Sequence, residues 1–192
     1  MVELWRLGRN RYGRAVYEGL TAAGVTATWM SEYRRDLAGA TAPSDPTGLS
    51  VTACDPDRVA PLGAPVDELV AGESVVAAFD DGTPLGYLFL STDTTHDIAP
   101  LQRRLAFDGA YLRRVYVDPD ERQRGVASAL VETACGLARE VGAGRATALV
   151  ARDNVPSRAL FESHDFDVVR DRRYVRVGPL THRSVRTRPV SN

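Results

Sequence analysis

The chain contains no lysine: all 24 of its basic residues are arginine. A phosphate loop of the Walker type ends in Gly-Lys-Ser/Thr, so that nucleotide-binding class is excluded. Cysteine is nearly absent too, with two among 192 residues. Cys54 falls in a predicted strand and Cys135 on a predicted helix, and neither has metal-ligand spacing. Both read as small buried hydrophobes in a reducing cytoplasm. No apolar run reaches membrane-spanning length and no signal-type region opens the chain, so the expectation is a soluble, cytoplasmic protein with no membrane partner. The net charge of −1 supplies no field to recruit nucleic acid. Histidine is scarce, and His96 with Asp93 and Asp97 in a polar stretch reads as a solvated loop, with no metal assigned.

What is present is an ordinary globular composition, 44% hydrophobic and 26% charged, enough for one domain with an extension. The informative stretch runs from Val115 to Val131. Val115-Tyr116-Val117 reads as a strand end, and Asp118-Pro119-Asp120 breaks it. Arg122, Gln123, Arg124 and Gly125 follow, and a helix opens at once. Its apolar positions are Val126, Leu130, Ala134, Leu137, Ala138 and Val141, at steps of three and four. A basic glycine turn at a helix start is suited to phosphate. The first-turn N–H groups lack intrahelical partners, the helix dipole adds partial positive charge, and arginine adds charge-assisted hydrogen bonds. A dinucleotide fingerprint needs three spaced glycines, and only Gly125 is present.

In chain order, Tyr12, Val16, Tyr17 and Leu20 fit one helix face, residues 25–37 look extended, and 39–48 form a Gly/Pro/Ser/Thr linker. Residues 1–48 are therefore read as an added helix, strand and linker packed on the main domain, with dimerisation as a weaker role. Strands are predicted at Leu49–Cys54, Glu73–Phe79 and Leu85–Ser91, the last two joined by an Asp-Gly hairpin turn at 80–83. Short helical turns follow Asp55 and Pro65. Residues 92–108 read as a long polar connection with a helical turn at Leu101–Leu105. Strands are then predicted at Ala110–Val117, Ala146–Val150 and within Asp167–Val177, with a short helix carrying Leu160 and Phe161 before the last. Residues 179–192 read as a flexible tail with Arg183, Arg186 and Arg188. The order predicts an α/β domain with a mixed, mostly antiparallel sheet and helices on both faces.

Arg122-x-x-Gly125-x-Ala127, preceded by Tyr116-Val117-Asp118-Pro119, resembles the acyl-CoA motif of the GNAT superfamily of N-acetyltransferases. Asn154 with Ala159-Leu160-Phe161-Glu162 and Asp165-Phe166 resembles its second motif. The resemblance covers residues 49–178. It implies a fold in which the strands at 110–117 and 146–150 splay apart, with the pantetheine arm of acetyl-CoA in the gap. Carried over residue by residue, it implies main-chain N–H groups of Arg124, Gly125, Val126 and Ala127 on the pyrophosphate, aided by Arg122 and Gln123. Val115 and Val117 would hold the pantetheine amides, and Asn154 and Ser157 are further cofactor-binding candidates. The implied activity is transfer of an acetyl group from acetyl-CoA to an amine of a small molecule or protein, without a metal.

Two positions depart from the family pattern. Phe161 stands where many members carry a tyrosine that protonates the departing thiolate, and Phe has no proton to give. Tyr116 is the stand-in, with Ser157 and His164 weaker candidates. Asp165 replaces a glycine that often needs a left-handed backbone, which Asp tolerates. The strand position that often supplies a catalytic carboxylate falls in Leu112-Arg113-Arg114-Val115, so Asp108 and Glu73 are the candidate bases. Arg113 and Arg114 suit either a carboxylate-bearing acceptor or plain salt bridges. The alternative functions are an acyl-CoA-binding sensor without chemistry and an interaction module on the same fold.

Overall fold

The computed structural model describes residues 25–38 and 48–188. The expected helix through Tyr12–Leu20 and the linker at 39–47 lie outside the described residues. Among the described residues there are ten strands: β1 Val25–Asp36, β2 Ser50–Cys54, β3 Ser74–Asp80, β4 Thr83–Thr92, β5 Thr95–Ile98, β6 Arg103–Ala106, β7 Ala110–Val117, β8 Arg145–Ala151, β9 Asp167–Val177 and β10 Leu180–Thr187. Two α-helices, α1 Val126–Glu140 and α2 Val155–Glu162, flank β8 in sequence.

Eight strands form one sheet in the order β10-β9-β1-β8-β7-β4-β3-β2, and β5 pairs with β6 apart from it. Every ladder in the large sheet is antiparallel except β7 with β8. That parallel pair follows from the crossover through α1, since parallel neighbours need a long connection.

Period-two alternation sorts the side chains onto two faces. Val76, Ala78, Leu88, Leu90, Leu112 and Ala148 pack with Val126, Leu130, Val131, Ala134, Cys135 and Ala138 of α1 and Phe161 of α2. Each such side chain contributes roughly 1.5–3 kcal/mol for the larger aliphatics. Val75, Ala77, Phe79, Tyr87 and Phe89 face the other way, under Val59 of a 3-10 turn at Pro56–Leu62. Helical segments thus cover both faces, α-helices on one and 3-10 turns on the other. The α1 stripe shifts slightly from its expected line: Val141 is the exposed C-cap, and Val131 and Cys135 are buried instead.

Three expectations are corrected. Residues 25–36 are not an added piece; β1 lies inside the sheet, paired to β8 on one side and β9 on the other. The 92–108 connection is the β5–β6 hairpin, with its helical turn at Ala99–Leu101. Ile98, Leu101, Leu105 and Phe107 pack it onto Tyr111 and Tyr174, so its apolar residues were core contributors separated by polar ones. Residues 180–187 are no loose tail, because β10 pairs with β9 from Leu180↔Val177 to Thr187↔Arg170.

Candidate acyl-CoA site

The site begins where β7 and β8 part. They pair only at Ala110↔Ala146, Tyr111↔Thr147 and Leu112↔Ala148. Among the described residues, the β8-facing edge of β7 has no partner strand beyond Leu112. A bulge helps to turn it. Between Tyr87↔Tyr116 and Phe89↔Arg113, β7 carries one more residue than β4, and Arg114 sits at φ 57°. The resulting gap holds a cavity of about 400 Å³ lined by Leu112–Tyr116 on one wall and Ala148–Ala151 on the other.

This cavity joins a wider cleft of about 780 Å³ at the start of α1, with Val115, Tyr116, Asn154 and Ser157 shared between the two. The wider cleft is lined by Val117, Arg122, Gln123, Gly125, Val126 and Ala127 as well. Nearly every residue expected to hold coenzyme A is therefore brought to one trench. Arg124 is the exception. Its side chain turns away, donating to Asp80 at 2.9 Å and pairing with Glu121.

The local sequence shapes the α1 end of the trench. Asp118 caps a 3-10 turn at Pro119–Glu121 by accepting from Asp120 N–H. Gln123 at φ 66° and Gly125 at φ 79° then bend the chain into the helix. Glycine takes that left-handed conformation without steric cost. No side chain caps α1, its first turn has no acidic residue, and its first backbone bond runs from Ala129 N–H to Gly125 C=O. The N–H groups of Val126, Ala127 and Ser128 are therefore the unpaired donors of the helix start, at the cleft wall. Arg122 and Gln123 are exposed.

Asn154 occupies the opposite wall as N-cap of α2. Its Oδ1 accepts from Ser157 N–H at 3.2 Å, leaving the amide NH2 for a ligand. Tyr116 lines both halves of the trench and stacks on Tyr87 at 5.4 Å between centroids. Burial pushes the Tyr87 phenol above its ordinary value.

Several candidates are placed elsewhere. Asp108 precedes β7, at the end remote from the gap, and its exposed carboxylate pairs with Arg145 at 3.0 Å. It cannot reach a thioester at Val115–Val117 and is no base for it. His164 packs on α1, where Nδ1 meets Glu132 Oε1 at 2.8 Å. Burial raises the Glu132 carboxyl, but hydrogen bonds from Arg35 and His164 outweigh it and hold the group below the usual range. His96 is not solvated: it is buried, meets Ser91 Oγ at 2.8 Å and packs on Tyr111. Burial lowers its pKa. Among the described residues, no group of three His, Cys, Asp or Glu is placed for a metal ion.

Phe161 is a core aromatic, 3% exposed, between Tyr33 and Phe166. Asp165 adopts φ 58°, the backbone its glycine-like position requires. The Glu73 side chain is buried and engaged. It accepts from Arg113 Nε at 2.8 Å, Arg113 Nη2 at 2.6 Å and Val70 N–H at 3.2 Å. Arg114 is held by Glu68. Both arginines are thus salt-bridge partners.

Sequence reading missed part of the inner wall: Met30 from β1, Tyr87, Leu149, and Pro65 beside a 3-10 turn. It also missed Gly86. A Cβ there would lie 2.6 Å from the Tyr116 carbonyl oxygen and 3.2 Å from Val126 Cγ1. The glycine lets β4, the β7 bulge and the α1 start close on one another, and a glycine inside a strand pattern was the available signal.

A family model for acetyltransferases of the GNAT family matches residues 45–166. The chain belongs to the GNAT acetyltransferase family. No curated protein sequence matches this GNAT chain significantly. Among solved structures, a GCN5-related N-acetyltransferase from Kribbella flavida is 14% identical, with TM-score 0.57 over 84% of this chain and 63% of its own. A Drosophila protein is 12% identical, with TM-score 0.57 over 86% of this chain and 57% of its own. The chain thus spans less than two thirds of the length of these relatives. AAC(6')-Iy in complex with the bisubstrate analogue CoA-S-monomethyl-acetylneamine is 16% identical, with TM-score 0.50 over 62% of this chain and 91% of its own. At these identities the likeness concerns the fold.

Proposed function

We propose that this GNAT chain is an acyl-CoA-dependent N-acetyltransferase that moves an acetyl group from acetyl-CoA to a primary amine by direct attack. The observation that carries the reading is the continuous trench from the uncapped α1 start, past Val115–Val117, into the β7–β8 gap. Its dimensions and donors suit a diphosphate at one end and an extended amide arm along the open strand edge. A structural neighbour crystallised with a CoA bisubstrate analogue adds support. The pyrophosphate would rest on the N–H groups of Arg124, Gly125, Val126 and Ala127, with Arg122 and Gln123 alongside. The pantetheine amides would pair with Val115 and Val117, opposite Asn154 and Ser157. Two free thiols fit a reducing cytoplasm.

In the reaction, the amine nitrogen attacks the thioester carbonyl carbon, and a backbone N–H near Val117 steadies the oxyanion. The C–S bond then breaks, the amine loses a proton, and CoA leaves as thiol. Holding both partners in the trench supplies a large share of the acceleration. Tyr116 would protonate the sulfur, a role its lining of both halves of the trench supports. A CoA thiol resembles free cysteine at roughly 8.5, so this assistance is modest. Among the described residues no carboxylate lines the inner cavity, and Glu73 already accepts from Arg113 and Val70. The site therefore favours amines of low pKa, which hold more free base near pH 7. An α-amine near ~7.7–8.0 holds several hundredfold more free base there than a lysine side chain near ~10.4.

Thiol release from acetyl-CoA, measured across amines of graded pKa, tests this. Turnover should concentrate on low-pKa amines. Phe161 favours one second reading, a CoA-binding sensor, and tight CoA binding without thiol release for any amine would establish it.

A further inference from the structure

Away from the trench, at the opposite end of β8, a polar concavity of about 200 Å³ opens beside the segment 106–108. Arg34 of β1, Arg145 of β8, and Arg170 and Arg172 of β9 line it, with Glu32, Asp108 and Thr147. Four guanidiniums thus face two carboxylates. Glu32, 2% exposed, takes three of them: Arg34 at 3.1 Å, Arg170 at 3.1 Å and Arg172 at 2.6 Å. Asp108 takes the fourth, Arg145, at 3.0 Å. Each guanidinium has five N–H donors, and two carboxylates cannot fill twenty donor positions.

One further observation bears on this concavity. Arg34 Nε is buried without a hydrogen-bond partner. A buried polar atom left unpaired is costly, so a ligand that satisfies it is favoured. Thr147, 2% exposed, lines the same concavity. Neither a phosphate on the α1 turn nor an acceptor in the β7–β8 gap would contact these groups.

We infer that this concavity is a second ligand site, for a small multivalent oxyanion carrying phosphate or carboxylate groups. The anion would accept from the spare N–H groups of Arg34, Arg145 and Arg170 and from the Thr147 hydroxyl. It would neutralise the arginine excess left by Glu32 and Asp108. Guanidinium forks match both oxyanion types geometrically.

Thermal-shift titration with inorganic phosphate and, separately, citrate at constant ionic strength tests the site. Arg145→Gln and Arg170→Gln suit the test because both side chains are part-exposed, at 44% and 39%. The wild type and Gly125→Glu should both show a saturable rise in Tm. Arg145→Gln and Arg170→Gln should bind at least about tenfold more weakly, the loss of one charge-assisted contact. A stronger response to phosphate assigns a phosphate ligand, and a stronger response to citrate assigns a carboxylate one. No saturable response to either anion, equal responses in all variants, or a response lost only in Gly125→Glu would overturn the inference.

Discussion

At the α1 end of the trench, Arg122 and Gln123 are exposed and the helix-start N–H groups are uncapped. At the strand end, Arg113 is locked to Glu73 and Arg114 to Glu68. Both ends are rich in arginine, yet only the first has charge to spend on a ligand. Arginine content is thus a poor guide to anion binding. What counts is whether donors remain once the fixed carboxylates are served. The inner end is left with aromatic and aliphatic walls, Tyr87, Tyr116, Met30 and Leu149, which suits the uncharged acetyl group and a neutral amine.

The contrast can be broken most sharply at Gly125. Gly125→Glu puts a side chain at φ 79° and a negative charge among the phosphate donors. CoA affinity should fall on the order of 100-fold or more by calorimetry. Unchanged affinity would remove the phosphate end from the account.

The next largest effect belongs to the locked end. Glu73→Ala strips Arg113 of its two-pronged buried partner, leaving it Glu68, and should cost about 1.5–3 kcal/mol in denaturant unfolding, the range of a lost charged hydrogen bond. A loss below about 1 kcal/mol, the range of an exposed pair, would show that the end is not locked.

Tyr116→Phe sits where the two ends meet. It should lower kcat roughly tenfold with little change in KM, less than a full general-acid effect because the thiolate is a good leaving group. An unaltered kcat would mean that the thiolate departs unaided.

The smallest contrast lies within the loop itself. Arg122→Gln should weaken CoA binding several-fold. Arg124→Gln should change it by less than about twofold, because that guanidinium already serves Asp80 and Glu121. Equal losses would show that Arg124 swings round on binding.

Much of the local structure was legible. The Asp-Gly turn, the strand at Ala110–Val117, the α1 start and the left-handed Asp165 each follow from rules acting over a few residues. The grouping of the residues proposed to face CoA was legible for the same reason, because one strand-turn-helix unit carries most of them. The 92–108 segment was misread because its hairpin pairs two short strands across a 3-10 turn, and neither strand is distinctive alone. Asp108 was misplaced because a strand end says nothing about which end meets the cleft.

The amino-acid order by itself determined the glycine turn, the helix that follows it and the alternation that sorts the sheet faces. These depend on backbone sterics and on side-chain period, which neighbouring residues set among themselves. Only the tertiary structure decided that β1 enters the sheet between β8 and β9, where Ser31 meets Asp171 at 2.8 Å across most of the chain. It alone also decided which arginines find carboxylates. A strand carries no record of its partner, because pairing is fixed by burial and hydrogen bonding summed over the whole sheet.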